Sequence, residues 1–210
     1  MVDDVQYFLF ADDTGFIASD TDPVTVTTRL QASQDAIEEY QRKCKIKANS
    51  NKYKAIFFTR KKSSRNLPRS QVVACGNQIP WSNDVMVYLG LTLDQKLSHA
   101  THIRNILKKC DKLTKILYPL IERHSQLYID AKLLIYKTVF KPSITYGFPA
   151  WYDCATSHRN KIQIKQNRLL DLFHSTNEVH NIAKLLDSSG THKLLERMCN
   201  ISKPTATVLD

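Results

Sequence analysis

From residue 5 to residue 11 the chain is apolar or aromatic at almost every position (V-Q-Y-F-L-F-A), Asp12 and Asp13 interrupt, and residues 14–18 (T-G-F-I-A) resume the apolar pattern. Two short apolar runs broken by a pair of turn-forming residues predict two strands joined by a tight two-residue turn. Asp22 and Pro23 then supply an N-cap and a first-turn proline. Val26, Leu30, Ser33, Ile37, Tyr40 and Cys44 recur in alternating steps of four and three, one face of a helix of about six turns that packs on the hairpin. Residues 55–59 (A-I-F-F-T) read as a short strand, 60–70 as a basic, serine-rich loop, and 85–94 (V-M-V-Y-L-G-L-T-L-D) as a strand or strand pair.

The pattern changes after Leu97. Ile103, Ile106, Leu107, Cys110, Leu113, Leu117 and Leu120 have the spacing of one long amphipathic helix over residues 98–121, which Pro119 should bend or end. Further helices are expected at 130–141, stopped by Pro142, and at 157–173, with weaker ones at 177–186 and 192–200. The fold class is therefore α+β: a small sheet region at residues 1–97, a helical region at 98–173 and a helical tail at 174–210, with no internal repeat.

Composition adds a constraint on partners. The chain has 210 residues, 42% of them hydrophobic, which is enough for a packed core. Its formal net charge is +10. Between Tyr40 and Asn83 there is no acidic residue, yet Arg42, Lys43, Lys45, Lys47, Lys52, Lys54, Arg60, Lys61, Lys62, Arg65 and Arg69 all lie there. Such clustering suits a polyanion, and it equally suits a solvated face with a basic loop. The five cysteines are odd in number and include no C-x-x-C pair, so neither a disulfide framework nor a zinc knuckle is supported. With no leader-like opening and no apolar run near the roughly 20 residues that cross a bilayer, the expectation is an intracellular protein, cytoplasmic or nuclear, without a membrane partner.

Adjacent aspartates at the tip of an apolar hairpin call for an explanation, because Asp is disfavoured in strands and like charges repel. A hard divalent cation such as Mg²⁺ relieves that repulsion and prefers carboxylate oxygens. The plain alternative is that Asp is a common turn residue.

The surrounding residues decide between the two. Phe10-Ala11-Asp12-Asp13-Thr14 resembles the Y/F-A-D-D motif at the palm active site of reverse transcriptases. Asn49 and Lys52, ahead of the 55–59 strand, resemble the next palm motif, and Tyr88-Leu89-Gly90 followed by His102 resembles the Y-L-G strand pair that contacts the primer. Tyr136-Lys137 through Pro142, Tyr146-Gly147, Trp151 and Gln166-Asn167 are similar to the helical segment beyond the palm in jockey-like, non-LTR retrotransposon enzymes. The resemblance covers about residues 5–173, and its specificity lies in the order of the motifs. Cys44, where a tryptophan is usual, and Asp171, where a basic residue is usual, depart from the family pattern.

The resemblance implies a partial polymerase palm followed by a thumb-like helical region. Asp12 and Asp13 would be Mg²⁺ ligands of a two-metal site, and Lys52 a group that steadies the leaving pyrophosphate, or else an exposed lysine at a strand entrance. Tyr88, Leu89 and Gly90 would offer backbone to the primer, or else form a core strand with a bulge. On the long helix, Arg104, Lys108, Lys112 and Lys115 lie at i, i+4, i+8 and i+11, a positive face that could track a duplex of RNA template and DNA primer. Deoxynucleoside triphosphates would be the substrates of the longer enzyme. Because the first palm aspartate and the fingers lie upstream in this family, the 210-residue chain alone is expected not to polymerise. The competing readings are a non-catalytic nucleic-acid-binding remnant, an RNA-copying palm polymerase disfavoured by Ala11 where those enzymes carry glycine, and a scaffold with no ligand. His99 and His102 are expected to start a helix rather than hold a metal, and Trp81 and Trp151 to anchor the core.

Overall fold

The computed structural model describes residues 4–59, 71–79, 81–82 and 85–173. The chain separates into two compact units, residues 1–86 with 95–97 and residues 87–94 with 98–210. The helices expected at 177–186 and 192–200 and the basic loop at 60–70 lie outside the described residues.

In the first unit, β1 (Val5–Phe10) and β2 (Asp13–Ala18) pair antiparallel from Val5↔Ala18 to Phe10↔Asp13. The turn is thus Ala11–Asp12 and not Asp12–Asp13, and Asp13 is the first residue of β2. The register that wins sets Tyr7 directly opposite Phe16, their rings edge to face with centroids 5.4 Å apart. A cross-strand aromatic pair is worth more than the Tyr7–Ala18 pairing that a turn one residue later would have made.

Helix α1 (Pro23–Lys43) opens on Asp22, whose carboxylate accepts from the Val24 and Thr25 amides at 3.2 and 3.0 Å. Those bonds keep the Asp22 carboxyl below its ordinary range, the Thr25 hydroxyl contributing most. The expected face is only partly covered. Val26 and Ser33 are buried, Leu30 and Ile37 half-buried, and Tyr40 and Cys44 exposed. Six-residue strands span about 20 Å, whereas a helix of 21 residues runs about 31 Å, so α1 outruns the hairpin it packs on.

A polar seam on α1 does what the apolar stripe does not. Gln31 accepts from the Val73 amide at 2.7 Å and donates to the Val73 carbonyl at 3.0 Å, imitating a neighbouring strand. Glu38 accepts from the Cys75 amide at 2.6 Å. These side chains hold the small hairpin β4 (Val73–Ala74) and β5 (Asn77–Gln78) against α1. The strand expected at 55–59 shrinks to β3 (Ala55–Ile56), which pairs parallel with β6 (Trp81–Ser82).

β7 (Val85–Tyr88) and β8 (Leu91–Asp94) form a hairpin ahead of the helices. Helix α2 (Ala100–Ile121) carries Pro119 inside its last turn, where the proline removes the amide that would have bonded the carbonyl four residues back, and the helix ends two residues later. Pro142 does not stop its helix. α3 (Ile129–Ile135) runs through a wide π-turn, Tyr136–Phe140, closed by the Lys141 amide on the Tyr136 carbonyl, into α4 (Lys141–Thr145). The wider turn gives the proline ring room against the preceding carbonyls, which a regular α-turn would not. α5 (Phe148–Trp151) and α6 (Thr156–Asp171) follow.

Two apolar clusters form the core of the helical unit. Ile162 of α6 packs with Ile103, Ile106 and Cys110 of α2, together with Ile144, Phe148 and Trp151. Leu169 and Leu170 pack with Ile121, Leu133, Tyr136 and Phe140, and with Leu113 and Leu117 at the edge. The start of α6 therefore meets the start of α2 and its end meets the end, so the two helices lie side by side in the same direction.

Candidate active site and nucleic-acid interface

The hairpin holds Asp12 in its turn and Asp13 at the first position of β2, and both are exposed. Neither carboxylate has a hydrogen bond or ion pair among the described residues, so their oxygens are open to a ligand. Alternation assigns the two hairpin faces. Val5, Tyr7, Phe16 and Ala18 share the face toward α1, where Tyr7 donates to the Ser33 hydroxyl at 3.0 Å. Asp13 shares the other face with Phe8, Phe10 and Ile17, which are 42%, 61% and 47% exposed. A two-stranded sheet covered on one side only is half of a layer, and its bare side is apolar around the carboxylates. Among the described residues no group of three or more His, Cys, Asp or Glu side chains could close around a metal ion. The donor set fits a hard cation as part of a ligand shell: two unpaired carboxylates on successive residues, one in the turn and one opening β2.

Lys52 ends a short 3₁₀ turn, Ser50–Lys52, just before β3, and is exposed; its amide donates to the Asn49 carbonyl at 3.1 Å. Asn49 folds back on this turn, accepting from the Asn51 amide at 3.1 Å. The Asn49 and Lys52 of the sequence motif are thus one local turn.

Tyr88 ends β7, and Leu89 and Gly90 form the connecting turn with φ of 46° and 77°. Positive φ at both corners is what a two-residue hairpin of native twist demands. Gly90 does permit a close approach, and what approaches is the Tyr146 ring: a Cβ on Gly90 would lie 3.1 Å from Tyr146 Cε1. The Tyr146 hydroxyl donates to the Leu89 carbonyl at 2.7 Å. Gly147, at φ 62°, is likewise filled against the Leu91 side chain. Y-L-G and Y-G, read separately along the chain, are the two halves of one joint.

Arg104, Lys108, Lys112 and Lys115 are all exposed on α2, with no ion pair among the described residues. Their side is opposite the stripe that buries Ile103, Ile106 and Cys110. Lys165 of α6 reaches α2, its Nζ 2.6 Å from Asp111 Oδ1, a contact that no hydrophobic pattern announces.

No family model matches the chain, and no solved structure does. Curated proteins do. The RNA-directed DNA polymerase from mobile element jockey of Drosophila melanogaster is 28% identical over 168 residues, 80% of this chain. The probable RNA-directed DNA polymerase from transposon X-element of the same species is 29% identical over 167 residues. That from transposon BS is 34% identical over 83 residues. The chain is similar in sequence to jockey-like RNA-directed DNA polymerases. It spans less than a fifth of the length of these relatives, 18% of jockey and 9% of BS.

Several residues of the jockey-like pattern are structural in this chain. Trp151 is fully buried and donates from Nε1 to the Tyr146 carbonyl at 2.9 Å; Trp81 is only half-buried. Tyr136 and Gln166 are completely buried, and burial pushes the Tyr136 phenol far above its ordinary value. His99 precedes α2 at φ 58° and His102 lies in its first turn, where Nδ1 accepts from the Thr92 amide at 3.3 Å. Asp94 caps this entry, accepting from the Ser98 and His99 amides at 2.9 and 2.8 Å. The histidines start a helix, as their spacing suggests. No helix among the described residues is long and apolar enough to cross a membrane.

Proposed function

We propose that this jockey-like chain corresponds to the later part of a reverse-transcriptase palm and to the thumb of a non-LTR retrotransposon polymerase. In that reading Asp12 and Asp13 hold Mg²⁺ and the exposed cations of α2 hold a duplex of RNA template and DNA primer. The supporting observation is the pair of adjacent, unpaired carboxylates at a hairpin tip, in a chain related over four-fifths of its length to an RNA-directed DNA polymerase.

Bound at such a site, divalent metal supplies activation of the primer hydroxyl and neutralisation of triphosphate charge. The chain's own part is mechanical and electrostatic. The paired strands fix Asp12 in the turn and Asp13 at the first position of β2, and the Tyr7–Phe16 pair and the Tyr7–Ser33 bond hold the register that puts them there. Lys52 is available as a cation toward a leaving pyrophosphate. Leu89 and Gly90 present backbone at a turn that Tyr146 fixes. Among the described residues no third carboxylate joins them, and two alone do not complete a two-metal site, so the 210-residue chain by itself is expected not to polymerise.

Paramagnetic Mn²⁺ tests the metal reading without needing activity. Amide resonances of Ala11 to Thr14 should broaden on titration, and Asp12→Asn with Asp13→Asn should abolish the effect. Template-dependent primer extension by the purified chain with Mg²⁺ would refute the claim that it is inactive alone. Nucleic-acid binding that persists without Mg²⁺ in the double variant, with no Mn²⁺ effect in the parent, would favour a non-catalytic binding remnant.

A further inference from the structure

The stripe on α2 that carries Arg104, Lys108 and Lys115 also contains Asp111, at i, i+4, i+7 and i+11, with Lys112 beside it. Asp111 is the one carboxylate of the stripe, and it points off the edge of α2 to Lys165 of α6. Lys165 belongs to a second stripe of the same period, Lys161, Lys165 and Arg168 at i, i+4 and i+7. Lys161 and Arg168 are exposed, whereas the Lys165 side chain is 18% exposed in its contact with Asp111. Because α2 and α6 run side by side in the same direction and the ion pair fixes their offset, Lys161 stands roughly level with Lys108, and Arg168 with Lys115.

We propose that α2 and α6 together form one cationic surface that takes both backbones of a nucleic-acid duplex, with Lys161 and Arg168 contacting the strand that α2 does not. The inference rests on the reading of α2 as a nucleic-acid-binding face and extends it to a second helix. From Arg104 to Lys115 the first row runs about 16 Å, the axial length of about five phosphates of one strand. Neighbouring helix axes lie about 8–10 Å apart, so the second row is displaced sideways from the first by about that distance. A duplex presents two phosphate backbones, one for each row, and in this proposal a single strand engages the α2 row. The ion pair spends the only carboxylate of the field on Lys165, leaving the flanking cations unopposed. The field ends at Asp171, one turn beyond Arg168.

The test is binding of the full chain to a 20-base-pair RNA–DNA duplex (about two helical turns) and to each of its strands, by fluorescence anisotropy over a range of salt. K161A/R168A should weaken duplex binding several-fold and flatten the log–log salt slope by about one to two, the loss of two phosphate contacts. Single-strand binding should change far less, and circular dichroism should report an unaltered fold. If R104A/K108A/K112A/K115A weakens binding but K161A/R168A leaves affinity and slope at the parent's values, the extension to α6 is wrong and the reading of α2 stands. If neither variant matters, both are wrong. Equal losses for duplex and single strand would overturn the assignment of two rows to two backbones.

Discussion

The Tyr146 hydroxyl donates a 2.7 Å hydrogen bond to the Leu89 carbonyl, fifty-seven residues away in sequence, while its ring covers Gly90. Tyr146 thereby ties the β7–β8 hairpin to the corner between α4 and α5, beside the Leu91–Gly147 contact. Tyr146→Phe should cost about 0.5–1.5 kcal/mol, toward the low end because Tyr146 is 57% exposed. Gly90→Ala should cost more, about 1–3 kcal/mol, since it adds a methyl against the ring at a positive φ. Urea denaturation of both variants checks the order. A Gly90→Ala protein as stable as the parent would show that the joint is looser than its geometry.

The sequence pattern disclosed elements that bury an apolar side and concealed those held by polar side chains. The hairpin, α1, α2 and α6 were legible because their periods of two or near 3.6 are written in Val, Ile, Leu and aromatic residues. The β4–β5 hairpin was invisible because Gln31 and Glu38, polar residues on a helix, hold it. Pro142 misled because a π-turn can absorb a proline, and a single residue type carries no notice of that. At the candidate site the Asp12–Asp13 pair was legible from its motif. The role of Gly90 was not, since its partner Tyr146 is distant in sequence and adjacent only in space.

Stability of the helical unit should fall on mild acidification. Burial holds His99 and His102 below the ordinary value of 6.5; Asp94 and Asp153 oppose this at His99, and His99 itself adds to it at His102. Above about pH 6.5 both folded and unfolded states are neutral and nothing is lost. As pH drops through that value, the unfolded chain takes up protons that the folded chain refuses, so the unfolding free energy declines until the depressed folded values are reached. Protonation would also set an N–H at His102 Nδ1 against the Thr92 amide that it now accepts. Urea midpoints measured from about pH 7.5 down to about pH 5.5 should decrease, and less steeply in His102→Gln. A midpoint that stays level or rises would contradict this.

Thiol reactivity should divide by unit. Cys44 and Cys75 are exposed, while Cys110 is completely buried with its thiol pushed up to about 11, chiefly by burial, and Cys154 is buried beside it in the same core. Because the thiolate is the reactive form, alkylation of the native chain should modify Cys44 and Cys75 rapidly and reach Cys110 and Cys154 only after denaturant is added. Peptide mapping by mass spectrometry reads this directly. Early labelling at Cys110 would mean that the α2–α6 core opens easily.

Ala11 occupies the first corner of the β1–β2 turn at φ 50°, a conformation that an L side chain adopts at a cost and glycine adopts freely. Ala11 is exposed, so its methyl contributes little burial in return. Ala11→Gly should therefore stabilise the first unit by up to about 1.5 kcal/mol, the roughly 1–2 kcal/mol relieved at the corner less the roughly 0.4–1 kcal/mol of extra glycine entropy in the unfolded chain. The hairpin register would be unchanged, because the Tyr7–Phe16 pair selects it from the strands and not from the turn. Thermal unfolding followed in parallel with the Tyr7 and Phe16 ring resonances separates the two effects. Lower stability with an intact ring contact would show that the strain is absent, and a lost contact would show that the turn, after all, decides where Asp12 and Asp13 stand.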